Sequence, residues 1–371
     1  MRQAGSGLLT SENKKAKNML PAKKHIMDLT RTANPSYHRL GYLRLDKNEN
    51  IIGFPREFID LLKKELASEF LTAYPEADIL YEKLAGWIGC GRENIYITAG
   101  SDAAIKAAFE VFVEPKEKVV ILSPSYAMFY VYARMFQANL IKIHYREGLL
   151  ISTSDIIKAI KKNKPKLLCI ANPNSPTGTV LPQDNLYDII AVASSQNCIT
   201  LLDEAYFLYY PYSAIEFIKD FPQLIITRTF SKVFGLASAR LGFACAHKNM
   251  VACLKKVRPM YETHAFAIKF AELLLDNYHL VEEYLEEMNK AKQYLEVQLD
   301  AGGIPYFKSY ANFILLDLGS PQKCLRVAEY LFKEKILVKG GFKDKVLKNC
   351  LRVTIGSIEQ MKYFLENFKQ A

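Results

Sequence analysis

Thr229-Phe230-Ser231-Lys232-Val233-Phe234-Gly235-Leu236, followed by Arg240-Leu241-Gly242, is the stretch whose reading decides the fold. One lysine follows a serine directly, an arginine comes eight positions later, and glycines stand on the far side of both. A lysine that forms a Schiff base needs a constrained, partly desolvated setting, because desolvation lowers its pKa and frees the amine. Ser231 and Arg240 can supply the hydrogen bonds and charge that hold a phosphate beside it. A serine-lysine pair alone reads equally well as a basic surface turn. What separates the two readings is the rest of the chain.

Working outward, short β-branched runs end repeatedly in polar or Gly/Pro-rich segments. Val119-Val120-Ile121-Leu122 runs into Ser-Pro-Ser, and Leu167-Leu168-Cys169-Ile170 into Ala-Asn-Pro-Asn. Ile199 to Leu202 lead to Asp-Glu-Ala-Tyr, and Leu224 to Thr227 to the lysine segment. Continuous apolar strands followed by helical stretches predict an α/β fold with a buried, mostly parallel sheet. Ligands of such sheets lie beyond the carboxyl ends of the strands. The chemically interesting residues all fall just after a strand.

Asp203 closes Leu201-Leu202-Asp203-Glu204-Ala205-Tyr206, where a carboxylate can keep a pyridine nitrogen protonated and make a ring an electron sink. Asn172-Pro173-Asn174-Ser175-Pro176-Thr177-Gly178 reads as a rigid turn that projects amides and hydroxyls toward the strand ends. Gly100-Ser101-Asp102 opens a helical run from Ala103 to Phe112, and amides at a helix start bind phosphate. Tyr126 can stack on a planar ring. Lysine, phosphate donors and a nearby acid are what pyridoxal 5'-phosphate requires.

Together these segments resemble the class I/II aminotransferases of fold type I, and most of all the histidinol-phosphate aminotransferase branch. The resemblance runs from about residue 40 onward. Leu45-Asp46-Lys47-Asn48-Glu49-Asn50 is similar to the N-E-N segment of that branch, and Tyr74-Pro75-Glu76 to its Y-P-D segment. The resemblance implies that Lys232 is the Schiff-base lysine, Asp203 the pyridine-nitrogen partner, and Tyr206 a hydrogen-bond partner of the cofactor's 3'-oxygen. It implies that Tyr126 stacks on the ring, and that Ser101, Asp102, Ser231 and Arg240 surround the phosphate. Tyr74 of a second subunit would join them, which makes the enzyme a homodimer. Arg352 would clamp a substrate carboxylate, with Lys339 and Asn50 beside the substrate. Glutamate and 2-oxoglutarate would be one substrate pair, and a small phosphorylated carbonyl compound the acceptor.

The chain departs from the family pattern in three places. Ser175 stands where the family has an asparagine before P-T-G, with Asn174 preceding it, so either could contact the 3'-oxygen. Pro259-Met260-Tyr261-Glu262-Thr263-His264 replaces P-Y-N-V-N, and Glu262 could point inward or face solvent. Lys339 replaces an arginine, keeping charge but losing the planar fork. The cofactor residues do not separate transamination from decarboxylation of a phosphorylated amino acid, because both reactions need them. A non-catalytic cofactor-binding protein would have little use for Lys232 and Asp203 together.

Composition sets the frame. The 371 residues suffice for two domains. The expected division is a flexible leader over 1–28, an N-terminal arm over 29–60, a large cofactor-binding domain over 61–263 and a small domain over 264–371. Residues from about 264 to 299 read as helix. The net charge of +10 owes much to Lys14, Lys15, Lys17, Lys23 and Lys24 near the amino terminus. No aromatic RNA-binding motif or zinc spacing accompanies them, so no nucleic acid, metal or membrane partner is expected. Seven scattered cysteines without a C-x-x-C pair, and no signal-peptide h-region, lead to a cytoplasmic expectation.

Overall fold

The computed structural model describes residues 22–30 and 38–371. The lysine-rich leader lies mostly outside the described residues; within them, Lys24–Met27 forms one helical turn.

Among the described residues, twelve strands make three sheets. They are β1 (Leu43–Leu45), β2 (Ile95–Thr98), β3 (Lys118–Ser123), β4 (Asn139–His144), β5 (Leu167–Ala171) and β6 (Ile199–Asp203). After them come β7 (Leu224–Thr229), β8 (Gly242–Ala246), β9 (Tyr306–Phe307), β10 (Phe313–Asp317), β11 (Ile336–Val338) and β12 (Cys350–Thr354). The large sheet has the order β2-β8-β7-β6-β5-β3-β4. Neighbours among β3 to β7 pair in parallel, while β8 runs against both β7 and β2. The mostly parallel sheet expected from the sequence is present, with helices on both faces.

The two faces follow from strand periodicity. Every residue of β5, β6, β7 and β8 is buried, as a sheet covered on both sides requires. Leu167, Cys169, Leu201 and Ile225 point into one core with Phe109 and Phe129. Leu168, Ile170, Leu202 and Ile226 point into the other, with Ile156, Ile160, Leu186 and Ile190. Alternate residues of one strand therefore serve opposite layers. β3, β5, β6 and β7 all end on the same edge of the sheet, which collects their loops there.

β9, β10 and β12 form a small antiparallel sheet, and β1 pairs with β11 in parallel. A bridge between Lys339 and Arg352 joins these two sheets. The segment after residue 42 thus belongs with strands from the far end of the chain. The helical stretch expected over about 264–299 is present as two helices, Ala265–Asp276 and His279–Ala301. The break falls at Asn277, whose side chain and backbone amide both donate to the Leu273 carbonyl. An asparagine that satisfies the helix end in this way stops it from continuing.

Candidate active site

The carboxyl ends of β6 and β7 bring the central acid and the lysine loop together. Asp203 is buried and accepts a hydrogen bond from Thr227 Oγ1 on the adjacent strand at 3.0 Å. Burial pushes its carboxyl up to about 7, against the opposing pull of the Thr227 hydroxyl and the Ala205 amide. An acid in this state gains from a cationic partner. Its neighbour Glu204 has a different task. Glu204 is paired with buried Arg228 at 2.9 Å and accepts the Ser213 hydroxyl and the Ala214 amide, while Arg228 lies 4.5 Å over the Phe207 ring.

Lys232 follows β7, and its Nζ donates to the Lys47 carbonyl at 3.0 Å and lies 5.7 Å from the centre of the Tyr206 ring. Tyr206 is buried. Burial would raise its phenol pKa, but the charges of Lys232 and Arg352, with hydrogen bonds from Asn48 and Ser175, hold it below its ordinary value.

An anion cradle lies beside this pair. Gly100 caps the helix Ser101–Phe112 at φ +81, and no side chain caps those amides. Arg240, itself left-handed at φ +51, donates to Ser231 Oγ at 3.2 Å. A Cβ on Gly100 would come within 2.8 Å of Arg240 Nη2, and one on Gly242 would collide with the Ser101 amide. Glycine at both positions lets the guanidinium and the helix amides converge on one point, as a bound phosphate needs. Tyr126 closes this side, donating to Asp102 Oδ1 at 3.3 Å.

The opposite wall centres on Arg352 in β12. Its Nη2 donates to the Asp46 carbonyl at 2.7 Å, its Nη1 reaches Ser175 Oγ at 3.5 Å, and its buried Nε has no partner. A guanidinium with an unspent buried donor fits a carboxylate ligand. The Lys339 backbone exchanges both hydrogen bonds with Arg352. Burial first, then the Arg352 charge, lowers the pKa of the Lys339 ammonium, with Asp46 opposing.

Of the two candidates before Pro176, Asn174 spends its amide internally. It donates to the Pro124 carbonyl and Thr177 Oγ1 and accepts from Ser125. Ser175 is the one that meets Tyr206 and Arg352. Asn50 closes a turn by accepting from the amides of Ile52 and Gly53, each at 3.0 Å, and packs on the Gly235 turn. Glu262 points inward: it accepts Tyr96 Oη at 2.6 Å and the Ala99 amide at 3.5 Å, beneath the cradle. Tyr74 stands apart, 73% exposed and stacked on Tyr261 at 4.2 Å.

A Schiff-base-competent lysine, a buried strand-end acid, an anion cradle and a carboxylate-ready arginine on one sheet edge suit one cofactor chemistry. The model of the aminotransferase class I and II family matches residues 42–368. The chain belongs to the class I and II aminotransferases. It is similar to the histidinol-phosphate aminotransferase of Clostridium novyi, 32% identical over 86% of this chain and 88% of that one. It is 31% identical to that of a Thermoanaerobacter species over 91% and 95% of the two chains. Among solved structures, the histidinol-phosphate aminotransferase of Sinorhizobium meliloti in complex with pyridoxal-5'-phosphate superposes with a TM-score of 0.85 at 21% identity. That match covers 94% of this chain and 98% of the other. The chain is therefore a pyridoxal-phosphate-dependent aminotransferase, and Gly100, Gly242, Arg240 and the partnerless Arg352 Nε are features of its own site that fit the cofactor and an acidic substrate.

Several residues of this aminotransferase escaped the sequence reading. Asn48 donates to Tyr206 Oη, Thr227 holds Asp203, and Thr354 and Asn312 fix Asn48. The N-E-N segment was the available signal for Asn48. Its glutamate also has a place: Glu49 binds Arg39 at 2.8 Å and Arg44 at 3.0 Å and anchors the arm.

Proposed function

We propose that the enzyme moves an amino group between glutamate and a small phosphorylated carbonyl compound of the kind that histidinol-phosphate aminotransferases are named for. The observation that carries this is the pairing of a buried, partly unsatisfied Arg352 with Lys339 on one wall, opposite the cradle of Arg240 and Ser231. One cationic group suits the carboxylate of glutamate, and the lysine beside it suits a phosphate as a point charge.

Bound pyridoxal phosphate supplies a ring that accepts the electron pair freed at the substrate Cα. Asp203 keeps the pyridine nitrogen protonated, and Thr227 orients that carboxylate. Lys232 Nζ would hold the cofactor and, as a free amine, would carry the proton taken from the substrate Cα. Tyr206 and Ser175 serve the 3'-oxygen, and Tyr126 covers the ring. Ser101, Asp102, Ser231 and Arg240 border the phosphate, and Arg352 receives the substrate carboxylate in bidentate fashion. A second copy of the chain supplies Tyr74 to the phosphate, which its exposure and its stacking on Tyr261 support. A cytoplasmic setting is consistent with seven unpaired cysteines.

The test follows 2-oxoglutarate formation and carbon dioxide release in parallel, with glutamate and phosphorylated or unphosphorylated carbonyl acceptors. The expected result is glutamate-dependent turnover of the phosphorylated acceptor without carbon dioxide. Equal use of the unphosphorylated acceptor would overturn the substrate class.

A further inference from the structure

Three consecutive residues each hold one functional group. The Asp46 carbonyl accepts from Arg352 at 2.7 Å, the Lys47 carbonyl accepts from Lys232 at 3.0 Å, and Asn48 Nδ2 donates to Tyr206 Oη at 2.7 Å. Of these three contacts, only that of Asn48 is made by a side chain. It is 1% exposed and sits at φ +57. A buried polar residue in a left-handed conformation persists only where its surroundings fix it.

Those surroundings determine which way the amide points. Thr354 Oγ1 accepts from the Asn48 backbone amide at 3.0 Å, which leaves the hydroxyl hydrogen free to donate to Asn48 Oδ1 at 3.2 Å. The Asn48 carbonyl accepts from Asn312 Nδ2 at 3.1 Å. With its oxygen turned to Thr354, Asn48 must present its NH₂ to Tyr206. A phenol that receives a hydrogen bond keeps its own proton for another acceptor.

We propose that Asn48 is a positioning residue for transamination: it holds Tyr206 Oη as a donor toward the cofactor's 3'-oxygen, and so sets how readily the lysine–cofactor linkage takes a proton. The inference rests on reading this site as the pyridoxal phosphate site. The Tyr206 phenol is held below its ordinary pKa against burial, mainly by the Lys232 and Arg352 charges, and the Asn48 hydrogen bond adds to the same effect. Thr354 lies two residues beyond Arg352 on β12, so the residue that orients Asn48 is carried by the strand that binds the substrate carboxylate. Tyr206 is thereby registered to Arg352 across 146 residues of chain (352 − 206).

The test is an absorption titration of the purified holoenzyme. A donor on the 3'-oxygen favours the unprotonated linkage, so weakening it raises the titration midpoint. Asn48→Asp keeps the size and tolerates the left-handed backbone, but it presents a carboxylate that takes the Tyr206 proton. Its midpoint should rise by about one pH unit. Asn48→Gly, which suits φ +57 and removes the amide, should raise it by about half as much. Both shifts should vanish in a Tyr206→Phe background. Melting curves of the apoproteins read any purely structural loss. Asn48 variants that melt lower yet titrate at the wild-type midpoint would overturn the proposal, and so would an undiminished shift with Tyr206→Phe. If Asn48→Asp fails to fold, Asn48→Gly decides. A wild-type protein that binds no cofactor and shows no titrating band would instead defeat the reading of the site itself.

Discussion

The cradle side and the substrate side of the site are built in opposite ways. On the cradle side, each residue closes its own strand, follows it or opens its own helix: Asp203 at the end of β6, Lys232 after β7, Ser101 after β2. Some of their supports are local as well, such as Thr227 to Asp203 across neighbouring strands and Arg240 to Ser231 nine residues apart, while Lys232 Nζ reaches back to the distant Lys47 carbonyl. On the substrate side, Arg352 and Thr354 meet Asp46 and Asn48 across 306 residues of sequence. The difference teaches that sheet topology gathers most of the cradle, whereas the wall around Arg352 needs the two ends of the chain to close on each other. Substitutions in the cradle should therefore strike chemistry, and those on the far wall should strike substrate choice.

The largest effect expected is that of Lys232→Ala. Losing the covalent anchor and the proton carrier together should lower turnover by at least ~10³-fold and remove the visible band. Steady-state rates and an absorption spectrum check both, and normal turnover would break the cradle half of the comparison.

Asp203→Ala should keep the cofactor bound but slow catalysis by on the order of 10²-fold or more, since the ring loses its electron-sink character. The same acid carries a pH signature without cofactor. Burial lifts its folded-state pKa to about 7, above the ordinary carboxylate value of 3.8. Its contribution to stability is therefore fully present below the lower value and is lost as pH rises through the higher one. Apoprotein carrying Asp203→Asn should melt like wild type only below the lower value, and increasingly higher than wild type as pH rises to neutrality. The gap should be at most on the order of a few kcal/mol. A wild-type apoprotein that gains on Asp203→Asn with rising pH would contradict the burial argument.

On the substrate wall, Arg352→Lys should reduce kcat/KM for glutamate by ~30-fold, or about 2 kcal/mol, as the bidentate fork is lost. Cofactor absorption should remain unchanged. An altered cofactor spectrum with unaltered glutamate kinetics would erase the distinction between the two sides.

The smallest effect expected is at the subunit boundary. Tyr74→Phe should weaken cofactor retention by about 1 kcal/mol, the worth of one hydrogen bond. Dilution below the dimer dissociation range should release cofactor from wild type. A monomer that retains it would remove the second subunit from the site.

How much of this was legible in the sequence follows the same division. The buried strands announced themselves as continuous apolar runs, so β3, β5, β6 and β7 and the residues at their ends could be read directly. β2, β4 and β8 were missed: Asn139–His144 is a half-exposed edge strand, and Gly242–Ala246 is a short run with no β-branched residue, Phe243 among small ones. The break at Asn277 was hidden inside a helical pattern, because periodicity does not report a side chain that caps Leu273. Ser175 could not be separated from Asn174 by sequence, since the answer depends on Pro124 and Ser125 consuming the asparagine amide. Asn48 belonged to a segment already noted, but its role depends on Thr354 and Asn312, far along the chain. Glu262 likewise needed Tyr96 to show that it turns beneath the cradle rather than into solvent.

The central claim is that Lys232, at the edge of the large sheet, carries the cofactor. Borohydride reduction of the holoenzyme followed by peptide mass spectrometry tests it most directly. The account predicts a pyridoxyl-phosphate mass on Lys232. A label on another lysine, or none in protein that still turns over, would contradict it.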